Sequence, residues 1–334
     1  MPDAKYNLTM LDLARRMDPD GKVARIVEKL DMTNEILQDM VTIEGNLPTG
    51  HRSTIRTGLP DAGWKILYKG TPPSKSETKQ VDDNCGILEA YGEVDEDAIT
   101  LNGNMFEFRI SEQMAFLESL NQAMASALFY SNTAVTPEQP LGLALRYSTL
   151  NPDVPIHENV IDAGGTDVDE LASMYLLTWG PNTIHGIYPK GSELGLQHTD
   201  MGREPRDFVD NDGTRRRYYA YVDQYKWKLG FCVRDWRYGV RIANVPVNKV
   251  KDFTFELLEK MIEAEELIPN LNMGRTAWYM NRHLRTALRQ NIIKVPNVQS
   301  HKDDVTGKII LYFNETPVRR VDALLKTEAR VTAA

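Results

Sequence analysis

A chain of 334 residues with 42% hydrophobic and 26% charged side chains has a globular composition, long enough for about two compact units, which excludes wholesale disorder. Its 39 Lys and Arg stand against 47 Asp and Glu, and the net charge of −8 repels a polyanion, which disfavours a dedicated nucleic-acid binder. No run of about eighteen apolar residues occurs, and residues 1–16 lack the basic-then-apolar order of a secretory leader, so a soluble chain that stays in the cytosol is expected.

The first forty residues alternate short helical stretches with breaks: Leu8 to Met17, Lys22 to Leu30 after the Asp18-Pro19-Asp20-Gly21 turn, and Asn34 to Met40. Leu11, Ala14, Val23, Ile26, Val27 and Leu30 recur at helical spacing, which predicts an N-terminal arm of amphipathic helices too short to be stable alone. From Thr42 to Val94 the texture turns to Gly, Pro, Thr, Ser and Lys. Such a segment cannot bury a core of its own, so it reads either as a mobile surface loop or as a two-stranded finger ordered by other subunits.

Asp95 is a candidate cap for a short helix through Leu101. Phe106, Ile110, Met114, Leu117, Leu120, Met124 and Leu128 then step by three or four residues, which predicts a helix over 104–131, roughly 40 Å long, with this stripe as its packing face and Ser111, before Glu112 and Gln113, as an alternative start. Thr133 to Gly165 reads as connections. Two short buried strands are expected on either side of Gly180-Pro181-Asn182, within Leu171 to Tyr188, and further strands at Tyr218 to Gly230, Phe231 to Arg241, Thr276 to Met280 and Lys308 to Phe313. Helices are expected at Lys249 to Ile268 and, capped by Asn281, at Arg282 to Gln290. No regular βαβ repeat appears, so the class is α+β.

Little in the chain points to catalysis. Walker, GxSxG, HExxH and GxGxxG motifs are all missing, and no cofactor is expected. Cys85 and Cys232 stand far apart, outside any CxxC spacing, and read as reduced thiols in or near the core. The best metal candidate is the set His198, Asp200, Asp207, Asp210 and Asp212, whose spacing is not that of a calcium loop. Asp210-Asn211-Asp212-Gly213 is sufficient as a turn, so no metal site is expected. Arg215-Arg216-Arg217 reads either as a phosphate contact or, better, as a strand end pairing with nearby Asp. The six histidines show no i, i+4 pair.

Several stretches in order carry a resemblance: Glu44-Gly45-Asn46-Leu47-Pro48-Thr49-Gly50-His51, Pro73-Ser74-Lys75-Ser76, Leu88-Glu89-Ala90-Tyr91 with Val94-Asp95, Thr178-Trp179-Gly180-Pro181-Asn182, Gly186-Ile187-Tyr188-Pro189-Lys190-Gly191, Asp235 to Asn244, and Thr316 to Leu324. Over roughly residues 8–330 the chain resembles the major capsid proteins of short-tailed phages. The resemblance implies the Hong Kong 97 coat fold, divided into an arm at 1–41, an extended loop with flanking strands at 42–94, a peripheral domain with a spine helix at 95–134 plus 296–334, and an axial domain at 135–295. It implies a non-enzymatic subunit that forms hexamers and pentamers of an icosahedral virion shell around double-stranded DNA, assembled in the host cytoplasm. The implied partners are other copies of the chain, a separate scaffolding protein, a portal and a decoration protein, with DNA touched without sequence preference. Arg52, Arg56, Trp64, Lys65, Lys69, Lys75 and Lys79 in the loop are the candidate inter-subunit contacts. An encapsulin-type compartment shell is the alternative within this fold, and a metal-dependent hydrolase built on the Asp and His set is the alternative outside it.

Overall fold

The computed structural model describes residues 34–58, 60–65, 68, 70, 73–98, 105–166, 170–209, 214–247, 254–290, 298–302 and 309–332. The arm helices expected at Leu8 to Met17 and Lys22 to Leu30 lie outside these residues, as does the end of the short helix expected through Leu101. The strands are β1 (Thr42–Glu44), β2 (Gly50–Gly58), β3 (Glu77–Asp95), β4 (Val160–Asp162), β5 (Leu171–Trp179), β6 (Ile184–Tyr188) and β7 (Leu196–Val209). They continue with β8 (Arg215–Val233), β9 (Gly239–Pro246), β10 (Arg275–Met280), β11 (Val298–Lys302), β12 (Ile309–Phe313) and β13 (Thr316–Arg320). The helices are α1 (Ile36–Asp39), α2 (Met105–Tyr130), α3 (Leu143–Arg146), α4 (Thr254–Leu267) and α5 (Arg282–Gln290). None is long and apolar enough to cross a membrane.

The described residues fall into two compact units, one drawn from Thr33–Gly86, Ala125–Leu194 and Leu229–Ala334, the other from Ile87–Met124 and Gly195–Lys228. In the larger unit β11, β12, β13, β10 and β5 lie side by side, with β13 parallel to β10 and the other neighbours antiparallel. β9 pairs with the other edge of β5, and β4 with β9. β5 and β9 are buried at every position, the pattern of strands covered on both faces. On one face Met174, Leu176, Val240 and Ile242 pack with Leu257 and Met261 of α4, Leu284 and Leu288 of α5, Trp278 and Phe313. On the other, Tyr175 meets Phe129 with ring centroids 5.2 Å apart, and Trp179 meets Phe231 at 5.9 Å. The polar tips of the buried rings find partners: Trp278 Nε1 donates to Glu265 at 3.1 Å, and Trp179 Nε1 to the Tyr279 hydroxyl at 2.7 Å. Asn281 caps α5 as expected, its Oδ1 accepting from Leu284 N–H at 3.0 Å. A buried Arg241 donates to Glu328 at 2.8 Å and to the carbonyls of Ala144 and Tyr147, tying the C-terminal segment to β9.

The strands around Gly180-Pro181-Asn182 exist but are not a hairpin. Only Trp179 and Ile184 are paired between β5 and β6, and β6 instead pairs with β1 and with the end of β8. β12 and β13 belong to the same sheet as β5 and β10, so the last strands share a unit with much of the segment 135–295, while α2 up to Met124 groups elsewhere.

In the smaller unit β7 and β8 form a long antiparallel ribbon, running from Leu196 opposite Trp227 to Val209 opposite Arg215. β7 is not foreseen from the pattern, because a ribbon with polar residues on both faces lacks apolar alternation. It carries a bulge between Asp200 and Gly202, where Gly202 holds φ +75°, a conformation open to glycine, and donates its N–H to Asp200 Oδ1 at 2.8 Å.

The face of α2 that packs is a correction. Leu120, Met124 and Leu128 are buried as expected, but Ile110, Met114 and Leu117 are exposed, Leu117 by 39%; the Phe106 side chain lies outside the described set. What turns towards the ribbon is the row one position earlier: Arg109, Gln113 and Phe116. Arg109 pairs with Asp223 and Asp200, each at 3.0 Å, Gln113 hydrogen-bonds Asp223, and Phe116 stacks on Tyr225 with centroids 6.2 Å apart. A buried carboxylate left without its cation costs more than exposing a Leu or Met, so the ion pair sets the rotation of the helix.

Candidate functional site

β2 and β3 form the expected two-stranded finger, with Gly50 opposite Asn84 and Gly58 opposite Glu77, and 59–76 between the strands. The tight turn before β2 is closed by Leu47 and Gly50, each donating its N–H to the other's carbonyl. Asn46 brackets Arg52, its Nδ2 donating to the Arg52 carbonyl at 2.8 Å and its Oδ1 accepting from the Arg52 N–H at 2.7 Å. Directly across the strands Arg52 grips Asp82 with two bonds of 2.6 Å. That hydrogen bond holds the Asp82 carboxyl below its ordinary range and the guanidinium above its own. Both groups face water, so the pair sets cross-strand register more than it adds stability.

Trp64 is 98% exposed and Tyr68 fully so. Lys65, Lys75 and Lys79 are exposed. Ser74 Oγ donates to the Asp61 carbonyl at 2.7 Å, closing the stem of the tip. Lys69 and the side chain of Arg56 lie outside the described residues. The Trp64 indole is covered by none of the described residues.

The base of the finger is built differently. Asp83 is buried and accepts from Arg146 at 2.6 Å; Arg146 also donates to the Phe231 carbonyl and lies over the Phe231 ring. Opposite Asp83 stands His51, whose ring lies edge-on to His185 with centroids 5.8 Å apart. His185 is in turn opposite Cys232 in the β6–β8 pair. Burial, with the neighbouring His51, pushes the His185 imidazole down to about 4 and so keeps it neutral, and burial followed by the Asp83 charge pushes the Cys232 thiol up to about 12. This group went unrecognised in the sequence, where 51, 83, 185 and 232 are far apart. The one available signal was His185, polar within the otherwise apolar Thr183 to Tyr188.

The described members of the Asp and His set singled out in the sequence are engaged by nearby side chains. Asp200 pairs with Arg109, His198 Nε2 lies 2.9 Å from Asp223 Oδ1, and Asp207 takes two bonds from Arg217 at 2.7 and 3.2 Å. Arg217 thus pairs with a nearby Asp, as the strand-end reading expects. Asp210 and Asp212 lie outside the described residues.

Comparison with known proteins bears on the whole chain. The family model described as Major capsid protein GP7 matches residues 18–332. A chain of the near-atomic cryo-EM structure of bacteriophage Epsilon15 is similar at 28% identity, with a TM-score of 0.77 over 98% of this chain and 98% of that one. The bacteriophage JBD30 capsid follows at 11% identity and TM-score 0.49, over 95% and 99%. The SrpI encapsulin of Synechococcus elongatus PCC 7942 reaches 10% identity and TM-score 0.42, over 72% and 96%, too little to carry an argument. No curated protein is a significant match.

Proposed function

The chain belongs to the Major capsid protein GP7 family, and from that premise we propose how this shell-forming phage subunit is used. It is a structural component of a phage capsid with the Hong Kong 97-type coat fold, not a member of an enzyme family. Its copies associate into hexamers and pentamers that close an icosahedral shell around double-stranded DNA. The end-to-end match to the Epsilon15 chain carries this reading.

Residues 42–94 serve as the extended loop and 1–41 as the arm. Trp64 docks in a pocket of a neighbouring copy, flanked by contacts from Arg56, Lys65, Lys69, Lys75 and Lys79, while Arg52, already held by Asp82, keeps the strands in register. Exposure of Trp64 and of the three described lysines supports this, since an indole left in water forfeits its burial energy until a partner covers it. Assembly takes place in the host cytoplasm with a separate scaffolding protein and a portal, and a decoration protein binds the finished shell. Packaged DNA is touched weakly and without sequence preference, because an acidic chain offers few phosphate contacts.

The test is to produce the full chain with its scaffolding protein, image the product by negative-stain electron microscopy and extract its contents. Closed icosahedral particles that fill with double-stranded DNA are expected once portal and packaging proteins are supplied. Particles that retain a protein cargo instead would point to a compartment shell, and a chain that stays monomeric with its scaffold would overturn the reading.

A further inference from the structure

Four side chains from four strands converge under the base of the finger. Register brings His51 of β2 opposite Asp83 of β3, and His185 of β6 opposite Cys232 of β8. One donor atom from each of His51, His185 and Cys232 lies within 4.8 Å of the others. His185 is 1% exposed and its Nδ1 has no hydrogen-bond partner; the His51 Nδ1 is buried and has none either. Asp83 is 4% exposed, its Oδ1 is taken by Arg146, and its carboxylate lies within hydrogen-bonding reach of the Cys232 thiol. Buried polar atoms without partners are rare in folded proteins, and two imidazole nitrogens so placed beside one thiol call for a ligand that accepts lone pairs.

We propose that His51, His185 and Cys232 form a three-donor binding site for a borderline-soft divalent transition ion of the Zn²⁺ class, the fourth position of its tetrahedron being open to water. Two imidazole nitrogens and a thiolate suit that class, whereas hard cations such as Mg²⁺ and Ca²⁺ take oxygen ligands. Tetrahedral bonds of about 2.0–2.3 Å put donors roughly 3.3–3.8 Å apart, so ring and thiol rotations of about 1 Å complete the geometry. As the sulfur–metal bond forms, the Cys232 thiol releases its proton to solvent; the imidazoles bind through neutral nitrogens and lose none. Asp83, held by the Arg146 guanidinium at 2.6 Å, lies beside Cys232 and orients the thiol from outside the donor set. The ion would clamp both strands at the root of the finger to β6 and β8.

The experiment is a Co²⁺ titration of the purified full chain, followed by displacement with Zn²⁺ and metal analysis of dialysed protein. Wild type should take up one equivalent and develop tetrahedral d–d absorption together with a thiolate-to-cobalt charge-transfer band. The band should vanish in Cys232→Ser and persist in Cys85→Ser, and affinity should fall at least about tenfold in His185→Gln or His51→Gln but not in the exposed-histidine control His283→Gln. Circular dichroism of each metal-free variant shows whether it folds. The wild-type spectrum needs no variant: uptake well below one equivalent, or uptake with no thiolate band, overturns the proposal. A band that survives Cys232→Ser does the same.

Discussion

Trp64→Ala separates folding of the subunit from assembly of the shell. At 98% exposure the indole contributes almost nothing to the isolated subunit, so its removal should move the subunit's thermal midpoint by no more than the scatter of repeat scans. In a shell the same side chain passes from water into a neighbour's pocket, and burial of a large apolar side chain contributes about 1.5–3 kcal/mol. At 1.36 kcal/mol per decade, that is a rise of about 10- to 150-fold in the protein concentration at which particles first form. Light scattering against concentration, with sedimentation to separate shells from free subunits, reads the threshold directly. A threshold within about twofold of wild type would refute the argument, since it would mean that Trp64 remains solvated in the shell. A subunit that melts several degrees lower would refute it from the other side, because the indole would then be packing within its own chain.

Leu120→Ala, at a site 3% exposed, should lower unfolding free energy by about 2–5 kcal/mol in urea titration, while Leu117→Ala, 39% exposed on the same helix, should cost well under half of that; equal losses would show that the face of α2 is misassigned. Arg241→Met strands the buried Glu328 and should cost about 3–5 kcal/mol, with much of the loss recovered in Arg241→Met combined with Glu328→Gln; no recovery in the pair would show that the loss is one of packing. For Asp223, burial pushes the carboxyl up, but hydrogen bonds from His198, Gln113 and Arg109 and the Arg109 charge outweigh it and hold the group below its ordinary 3.8. A lowered folded value stabilises the protein above the unfolded value and is lost as pH falls through the folded one, so the acid limb of stability below about pH 4 should flatten in Asp223→Asn. Stability against pH measured by urea titration checks this, and an unchanged limb contradicts it.

The local parts of this fold were legible in the residues themselves. The helix at 105–130, the Asn281-capped helix at 282–290 and the strands at 171–179, 184–188 and 275–280 are each encoded by a period, a cap or a run of apolar residues that acts within a few positions. The order of segments resembling phage coats carried the family and the shell-forming role. What the residues did not announce depends on partners distant in the chain. β7 is a strand because β8 lies beside it, not because its own pattern is apolar, and β13 is one because β10 and β12 flank it. Periodicity named an apolar stripe on α2, but the buried Asp223, more than a hundred residues away, turned Arg109 and its row inwards and left Ile110, Met114 and Leu117 in water. The group at the finger's root is the extreme case. His51, His185 and Cys232 have no spacing in common, and only strand pairing, which a one-residue slip would destroy, brings one donor atom of each within 4.8 Å of the others.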